Sequence, residues 1–312
     1  DCEFLNLLTP HAEPSAVEHI PEQISLIERL IEGGNAYRAN DGSVYFKVDA
    51  FPEYGRLSRL ADREITTSAT DRETADEYER DTAADFVLWK VRRPEDGENF
   101  WESPWGQGRP GWHIECSAMS MKFLGESFDL HSGGVDLIFP HHENEIAQSE
   151  SVTGKIFARH WFHIAHLMVE GKKMSKSLAN LHTLEELDQK GYLAQEVRYV
   201  LLSGSYRQPL NFTFDSMKAS RKAMSKLRDF ATKFNFIPTT GNNLETEFGP
   251  FQPIQDALLS DLSTPEALGR CFSLVRELSE AYERGEYESR PEAVSEVCRG
   301  FQATCDAFGL VV

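Results

Sequence analysis

The stretch that decides the fold opens at Trp112-His113-Ile114-Glu115-Cys116-Ser117. It runs through Phe128-Asp129-Leu130-His131-Ser132-Gly133-Gly134-Val135-Asp136 and Pro140-His141-His142-Glu143-Asn144-Glu145, and closes on His163 to Val169. Short apolar segments alternate here with helical patterns, the texture of a parallel α/β layer. Ile114 is expected in a first strand, followed by a helix containing Met119, Phe123 and Leu124. Phe128 to His131 is expected to end a second strand at Gly133-Gly134. A helix is expected to start at Pro140, because proline is favoured at the first helical position. His163 to Val169 is expected as a third strand, leading straight into Lys173-Met174-Ser175-Lys176-Ser177.

His141 and Glu145 are four apart, so a helix opening at Pro140 puts both on one face. Cys116, just beyond the first expected strand, can turn its sulfur toward that face from a loop. A thiol, an imidazole and a carboxylate are ligands of mixed softness that suit zinc with an open position. The order His141-His142-Glu143-Asn144-Glu145 does not match the metalloprotease signatures built on paired histidines and a glutamate, which argues against peptide hydrolysis. In isolation, His141 reads equally well as a surface helix residue and Cys116 as a core thiol.

Gly133-Gly134-Val135-Asp136 lies where a strand ends over a parallel sheet, the usual place for a nucleotide. Glycines let backbone approach a ligand and a carboxylate can accept from ribose hydroxyls, although such strings are more often turns. Lys173 and Lys176, three apart among small residues, suit a short loop that brings two cations and nearby hydroxyls onto a polyphosphate. A solvated basic turn would read the same way without the metal cluster upstream of it.

Outward from this centre, residues 15–33 repeat apolar side chains at Val17, Ile20, Ile24, Ile27 and Ile31 and close on Gly33-Gly34, a capped amphipathic helix. Ala36 to Arg38 and Val44 to Phe46 flank Asn40-Asp41-Gly42, a hairpin signal. Residues 62–85 are polar and acidic and read as a surface excursion, Phe86 to Trp89 as a buried strand, and residues 94–111 as an ordered loop. Beyond Leu193 the chain is mainly helical, with a strong start at Thr264-Pro265-Glu266 and an expected linker over residues 236–253. Lys218, Lys222 and Lys226 repeat at intervals of four in a helical stretch that also carries Arg221 and Arg228. No internal repeat occurs.

The 312 residues are enough for two or three compact units. Hydrophobic residues make up 40%, yet no apolar run reaches the roughly 18 residues that span a bilayer. No secretory leader opens the chain, and its first residue is Asp1, so the natural protein is expected to begin further upstream. Five irregularly spaced cysteines fit a reducing cytoplasm better than a disulfide framework, and Cys271, Cys298 and Cys305 read as small core residues. The net charge of −18 argues against a general nucleic-acid coat but leaves room for a local basic surface.

Gly108 to Ser117, His131 to Leu137, Phe139 to Gln148 and Lys173 to Leu178 together closely resemble cysteinyl-tRNA synthetases, class I aminoacyl-tRNA ligases. The resemblance implies an α/β fold, a partial Rossmann-type catalytic domain with an inserted connective segment and a following α-helical bundle. Its boundaries would be residues 1–19 for the end of the first catalytic half and 20–107 for the insertion. Residues 108–165 would form the second half, 166–205 the lysine-motif segment, and 206–312 the bundle that holds the tRNA stem. Zn2+, one per chain, carries over onto Cys116, His141 and Glu145, the family's remaining ligand being a cysteine in the first half of the domain. Trp112 and His131 carry over onto the cysteine pocket. Asp136, Gly133, Gly134, Lys173, Lys176 and Ser177 carry over onto the ATP site, with Mg2+ accompanying the nucleotide and the two lysines serving catalysis.

The implied substrates are ATP, L-cysteine and tRNA(Cys), with tRNA meeting Lys218, Lys222 and Lys226. A cytoplasmic monomer without membrane contact is expected. The family's His-x-Gly-His string does not occur in these residues. The first Rossmann half and an anticodon-binding module are therefore expected to lie outside them, and the stretch alone is expected to be inactive. Alternatives are a mycothiol-type cysteine ligase, a non-catalytic synthetase-like RNA-binding protein, and a zinc hydrolase.

Overall fold

The computed structural model describes residues 1–60, 85–174, 182–239 and 247–312. The chain divides into two compact units, His11–Ile164 and a second made of Asp1–Pro10 with Ala165–Val312.

The unit His11–Ile164 begins with α1 (Ile20–Glu32), whose Ile20, Leu26, Ile27 and Leu30 are buried while its opposite face is charged. The helix ends at Gly33 and Gly34, whose N–H groups reach back to Arg29 O at 2.9 Å and Ile31 O at 3.0 Å. Strands β1 (Ala36–Arg38), β2 (Val44–Phe46), β3 (Phe86–Val91) and β4 (Gly108–Pro110) follow as an antiparallel sheet in that order. In the β1–β2 turn, Asp41 Oδ1 accepts from Ser43 N at 2.9 Å, the local carboxylate contact that turn sequences favour. Asp85, at the edge of the excursion expected over 62–85, is fastened down by Tyr37 OH at 2.8 Å and Val48 N at 2.9 Å. Residues 61–84 lie outside the described residues. The loop expected at 94–111 contains β4, which pairs with β3 through Trp89↔Pro110 and Val91↔Gly108.

Then come α2 (Trp112–Leu124), β5 (Phe128–Gly134), α3 (Glu143–Thr153) and β6 (Ala158–Ile164), with β5 and β6 parallel from Phe128↔Ala158 to Gly134↔Ile164. One core joins the sheet to the helices through Leu30, Val44, Phe46, Phe86, Leu88, Trp89, Ile114 and Ala147. Two expectations are corrected here. Ile114 lies in the first turn of α2, not in a strand, because Ile114, Ala118 and Met121 recur at helical spacing behind the extended cap residue Gly111. The helix expected from Pro140 begins instead at Glu143, preceded by a widened turn over Ile138–His142 in which Phe139 is extended (φ −138°, ψ 131°).

In the second unit, β7 (Leu167–Val169), β8 (Lys172–Lys173) and β9 (Leu210–Phe212) form a sheet in the order β8-β7-β9. The single strand expected over His163 to Val169 is therefore two, β6 and β7, in different sheets. The unit's helices are α4 (Leu184–Gln189), α5 (Ala194–Leu202), α6 (Phe214–Lys233), α7 (Gln252–Leu259), α8 (Thr264–Glu283) and α9 (Pro291–Phe308). Thr213 caps α6 by accepting from Ser216 N at 3.0 Å, and Arg221 of α6 pairs with the buried Glu196 of α5 at 2.8 Å. Arg198 binds the carbonyls of Leu5 at 2.6 Å, Asn6 at 3.1 Å and Phe308 at 2.5 Å, tying both ends of this unit to α5.

The linker expected over residues 236–253 is corrected in part. Phe248 and Phe251 are buried with Phe230, Phe234 and Phe301 in the bundle core, and Gln252 and Pro253 open α7; residues 240–246 lie outside the described residues. Cys271 and Cys305 are core residues, as read from their patterns. No helix among the described residues is long and apolar enough to cross a membrane.

Because Phe251 is fully buried against Phe230 and Phe301, truncating it should leave a cavity rather than relax a tether. We expect Phe251→Ala to destabilise the helical unit by about 3–5 kcal/mol. Urea melts followed by circular dichroism check this, and an unchanged midpoint would return the segment to linker status.

Candidate functional site

Gly111 caps α2 in an extended conformation, so Trp112 is its first residue and Cys116 lies one turn further along the same face. The sulfur is thus presented by a helix, not by the loop expected from sequence, and it is half-buried. His141 comes from the widened turn and Glu145 from the first turn of α3, both buried. The ligating atoms of Cys116, His141 and Glu145 all lie within 4.8 Å of one another. The same holds for His131, His142 and Glu145, so the Glu145 carboxylate is common to both groups.

Glu145 is completely buried. His131 Nε2 contacts its Oε2 at 3.0 Å. His141 Nε2 lies 2.9 Å from Oε1, yet Oε1 has no hydrogen-bond partner. A nitrogen and a carboxylate oxygen this close but poorly aligned for a hydrogen bond can both turn toward a shared cation. His113 Nδ1 meets His141 Nδ1 at 2.7 Å, which fixes the ring and leaves Nε2 facing Glu145.

The electrostatics point the same way. Burial pushes the Glu145 carboxyl up, but the His131 and His141 imidazoles outweigh it and bring it down to about 2. Burial, with the Glu145 and Glu115 carboxylates adding to it, pushes the Cys116 thiol up to about 12. Burial lowers His113 to about 3 and His142 to about 4, so both are neutral near pH 7. The pocket therefore holds a buried anion, uncharged nitrogen donors and a thiol that ionises only beside a positive charge. These residues fit a metal ion, which would compensate Glu145 and stabilise the thiolate.

Several members were not singled out from sequence. His142 Nδ1 contacts His163 Nε2 at 2.8 Å, and Trp161 packs against both His131 and His142 with centroids 4.9 Å away. The available signal was the spacing of Trp161 and His163, two apart on one strand, which puts both on one face of β6. Trp112 is 53% exposed and tilts over His141 at 4.4 Å, forming a wall that solvent reaches.

Gly133 has a steric role besides any ligand approach. A Cβ there would lie 2.8 Å from His142 Cε1 and 2.9 Å from its Nε2. At Gly134 a Cβ would run into Asp136 Oδ1, and Asp136 itself is exposed just beyond β5.

The other unit carries the remaining candidates. Lys173 lies on β8, paired by backbone with Met168, while Lys176 and Ser177 fall outside the described residues. Lys218, Lys222 and Lys226 are all exposed on α6, and Lys218 pairs with Asp215 at 2.9 Å. Arg221 is committed to Glu196 and to Gly191 O.

Residues 1–222 match the family described as tRNA synthetases class I (C) catalytic domain. The chain is 51% identical over 310 residues to a cysteine–tRNA ligase of Opitutus terrae, covering 98% of this chain and 65% of that protein. It is 47% identical over 290 residues to the cysteine–tRNA ligase of Chlamydia muridarum, covering 91% and 61%. The chain thus spans somewhat under two thirds of the length of these relatives. Among solved structures, methionyl-tRNA synthetase of Mycobacterium tuberculosis in complex with methionyl-adenylate superposes with a TM-score of 0.59 at 15% identity, covering 99% of this chain and 74% of that one. That likeness is one of fold: a class I synthetase catalytic architecture, mixed α/β, with helices and small sheets. With a family match over most of its length and relatives near half identity, the chain belongs to the class I tRNA synthetases, in the group of the (C) catalytic domain.

Proposed function

We propose that the whole protein is a cysteine–tRNA ligase, which activates L-cysteine with ATP and passes it to the terminal adenosine of tRNA(Cys). The observation that carries this reading is the convergence of Cys116, His141 and Glu145 around a buried, incompletely bonded carboxylate, within a chain whose relatives bear that name. Zinc, held in part by these three residues, would supply a soft Lewis acid that prefers a substrate thiolate to the serine hydroxyl.

The chain's own residues do the rest. Trp112 walls the amino-acid pocket on its solvent side, and His113 orients His141. Neutral His142 and His163 add polar contacts without a competing charge. The substrate carboxylate then attacks the α-phosphate of ATP, forming an acyl–phosphate bond and expelling pyrophosphate. Gly133, Gly134 and Asp136 serve the nucleotide, with the Asp136 carboxylate accepting from ribose hydroxyls. Lys173 and Lys176 serve the departing pyrophosphate, with Ser177 beside them and Mg2+ accompanying ATP. A hydroxyl of the terminal adenosine finally attacks the cysteinyl carbonyl and AMP leaves. Five free cysteines suit a reducing cytoplasmic setting.

If the three residues hold zinc, Cys116→Ser and His141→Ala should each lose most of the roughly one equivalent expected in the wild type. Elemental analysis of folded proteins measures this, and undiminished zinc in both variants rejects the assignment. Lys173→Ala and Lys176→Ala should slow cysteine-dependent ATP–pyrophosphate exchange in the whole enzyme by on the order of 10²–10³, with little change in the cysteine requirement. Normal turnover with a raised KM for cysteine would contradict the role given to the lysines.

The exposed stripe Lys218, Lys222 and Lys226 supports RNA phosphate contact in a chain of net charge −18. Reversing all three charges should weaken tRNA binding and reduce the log–log salt slope by about 0.7–0.9 for each phosphate no longer neutralised. Amino-acid activation should be unaffected. An unchanged slope would make α6 a solvated face.

A further inference from the structure

Glu143 stands between the two metal-ligand candidates of α3 and its turn, yet it faces away from them and is fully buried. Its carboxylate accepts from two backbone N–H groups of one loop, Gly55 N at 3.0 Å to Oε2 and Ser58 N at 2.5 Å to Oε1. A buried carboxylate is costly unless each oxygen is bonded, and this one is satisfied by backbone on both oxygens. Gly55 makes the cradle possible. Its φ of +89° is one that side-chain-bearing residues avoid, and a Cβ there would lie 2.7 Å from Leu60 Cβ.

The same loop is fastened along α3 at two further points. Tyr54 OH donates to Asn144 Oδ1 at 2.5 Å. Two turns beyond Glu143, Arg56 pairs with Glu150 at 3.1 Å. Residues 54–58 therefore span α3 like a strap, and its buried anchor lies on the turn that holds His141 and Glu145.

We infer that Glu143 is a positioning residue for the metal centre: its two backbone bonds to Gly55 and Ser58 fix the rotation of α3 so that His141 and Glu145 converge with Cys116. This rests on the metal reading above and gives that site a support nearly 90 residues upstream in sequence. The mechanism is geometric. His141 lies in the widened turn that runs directly into α3, and Glu143 and Glu145 lie in its first turn, so a small rotation there moves both donor atoms and spoils their convergence. Outer contacts of this kind commonly change metal affinity by about 10- to 100-fold.

The test uses the full protein loaded with Zn2+ or Co2+. Zinc affinity is measured by chelator competition, and donor geometry by the d–d and thiolate-to-metal absorption of the cobalt form. Glu143→Ala should weaken zinc by about 10- to 100-fold and shift the cobalt bands. Glu143→Gln, which keeps one acceptor oxygen, should fall between it and wild type, and it carries the test if the alanine variant does not fold. Glu150→Gln, at the far end of the same strap, should leave affinity and spectrum unchanged, although it loses the Arg56 ion pair. Unaltered zinc affinity and cobalt spectrum in folded Glu143 variants overturn the inference, as does an equal loss in Glu150→Gln. A wild-type protein that binds neither metal overturns the metal reading itself, and this role with it.

Discussion

One buried carboxylate organises the site. Glu145 has no access to solvent, and its two oxygens face different imidazoles, His141 from the turn before its helix and His131 from β5. A lone anion in such a place costs several kcal/mol unless it is compensated, so the histidines around it are a physical requirement of the burial. Because the carboxylate must be approached from two sides, β5, the turn before α3 and α2 all have to end at one point. Gly133, at the end of β5, follows from this crowding, since His142 occupies the space a side chain there would need.

Charge and softness are then matched in one cavity. His113 and His142 remain neutral because they are buried, and the Cys116 thiol stays protonated while no positive charge adjoins it. Neither His113 nor His142 thus supplies a charge to offset that of Glu145 near neutral pH. A divalent cation would favour thiolate over thiol, fully engage the carboxylate and keep the imidazoles neutral. That cooperation distinguishes the cluster from an ordinary buried ion pair.

Much of this was legible in the sequence, for identifiable reasons. The repeat of α1, the hairpin around Asp41-Gly42 and the start of α8 at Thr264 depend on neighbours within a few residues, and local signals carried them. His141 and Glu145 were paired by their spacing of four. Cys116 was misassigned to a loop because α2 is buried on more than one side, with His113, Ile114, Ser117 and Ala118 all enclosed, so no clear apolar stripe marks it. Beyond the spacing of Trp161 and His163 on one strand, the support from His142, His163 and Trp161 was hidden for another reason. It depends on the parallel register that sets His131 beside Trp161 and Gly133 beside His163, and no local pattern encodes a pairing across 30 residues. Phe248 and Phe251 were hidden in the same way, because a Gly/Pro-rich neighbourhood reads as linker until the core it plugs is known.

The contacts of Arg198 bear on the order in which the molecule can be made. This side chain grips Leu5 and Asn6 at one end of the sequence and Phe308 at the other, while His11–Ile164 forms a unit continuous in sequence. On a ribosome, the continuous unit can complete its core as soon as it emerges. The contacts of Leu5 and Asn6 with Arg198 can form only after α5 has been synthesised, and that of Phe308 only after α9. Prior folding of the intervening 154 residues shortens the loop that must close, replacing a long flexible chain by a compact body and reducing the entropic penalty of bringing the ends together. Of the two units, the discontinuous one is therefore the later to complete its contacts.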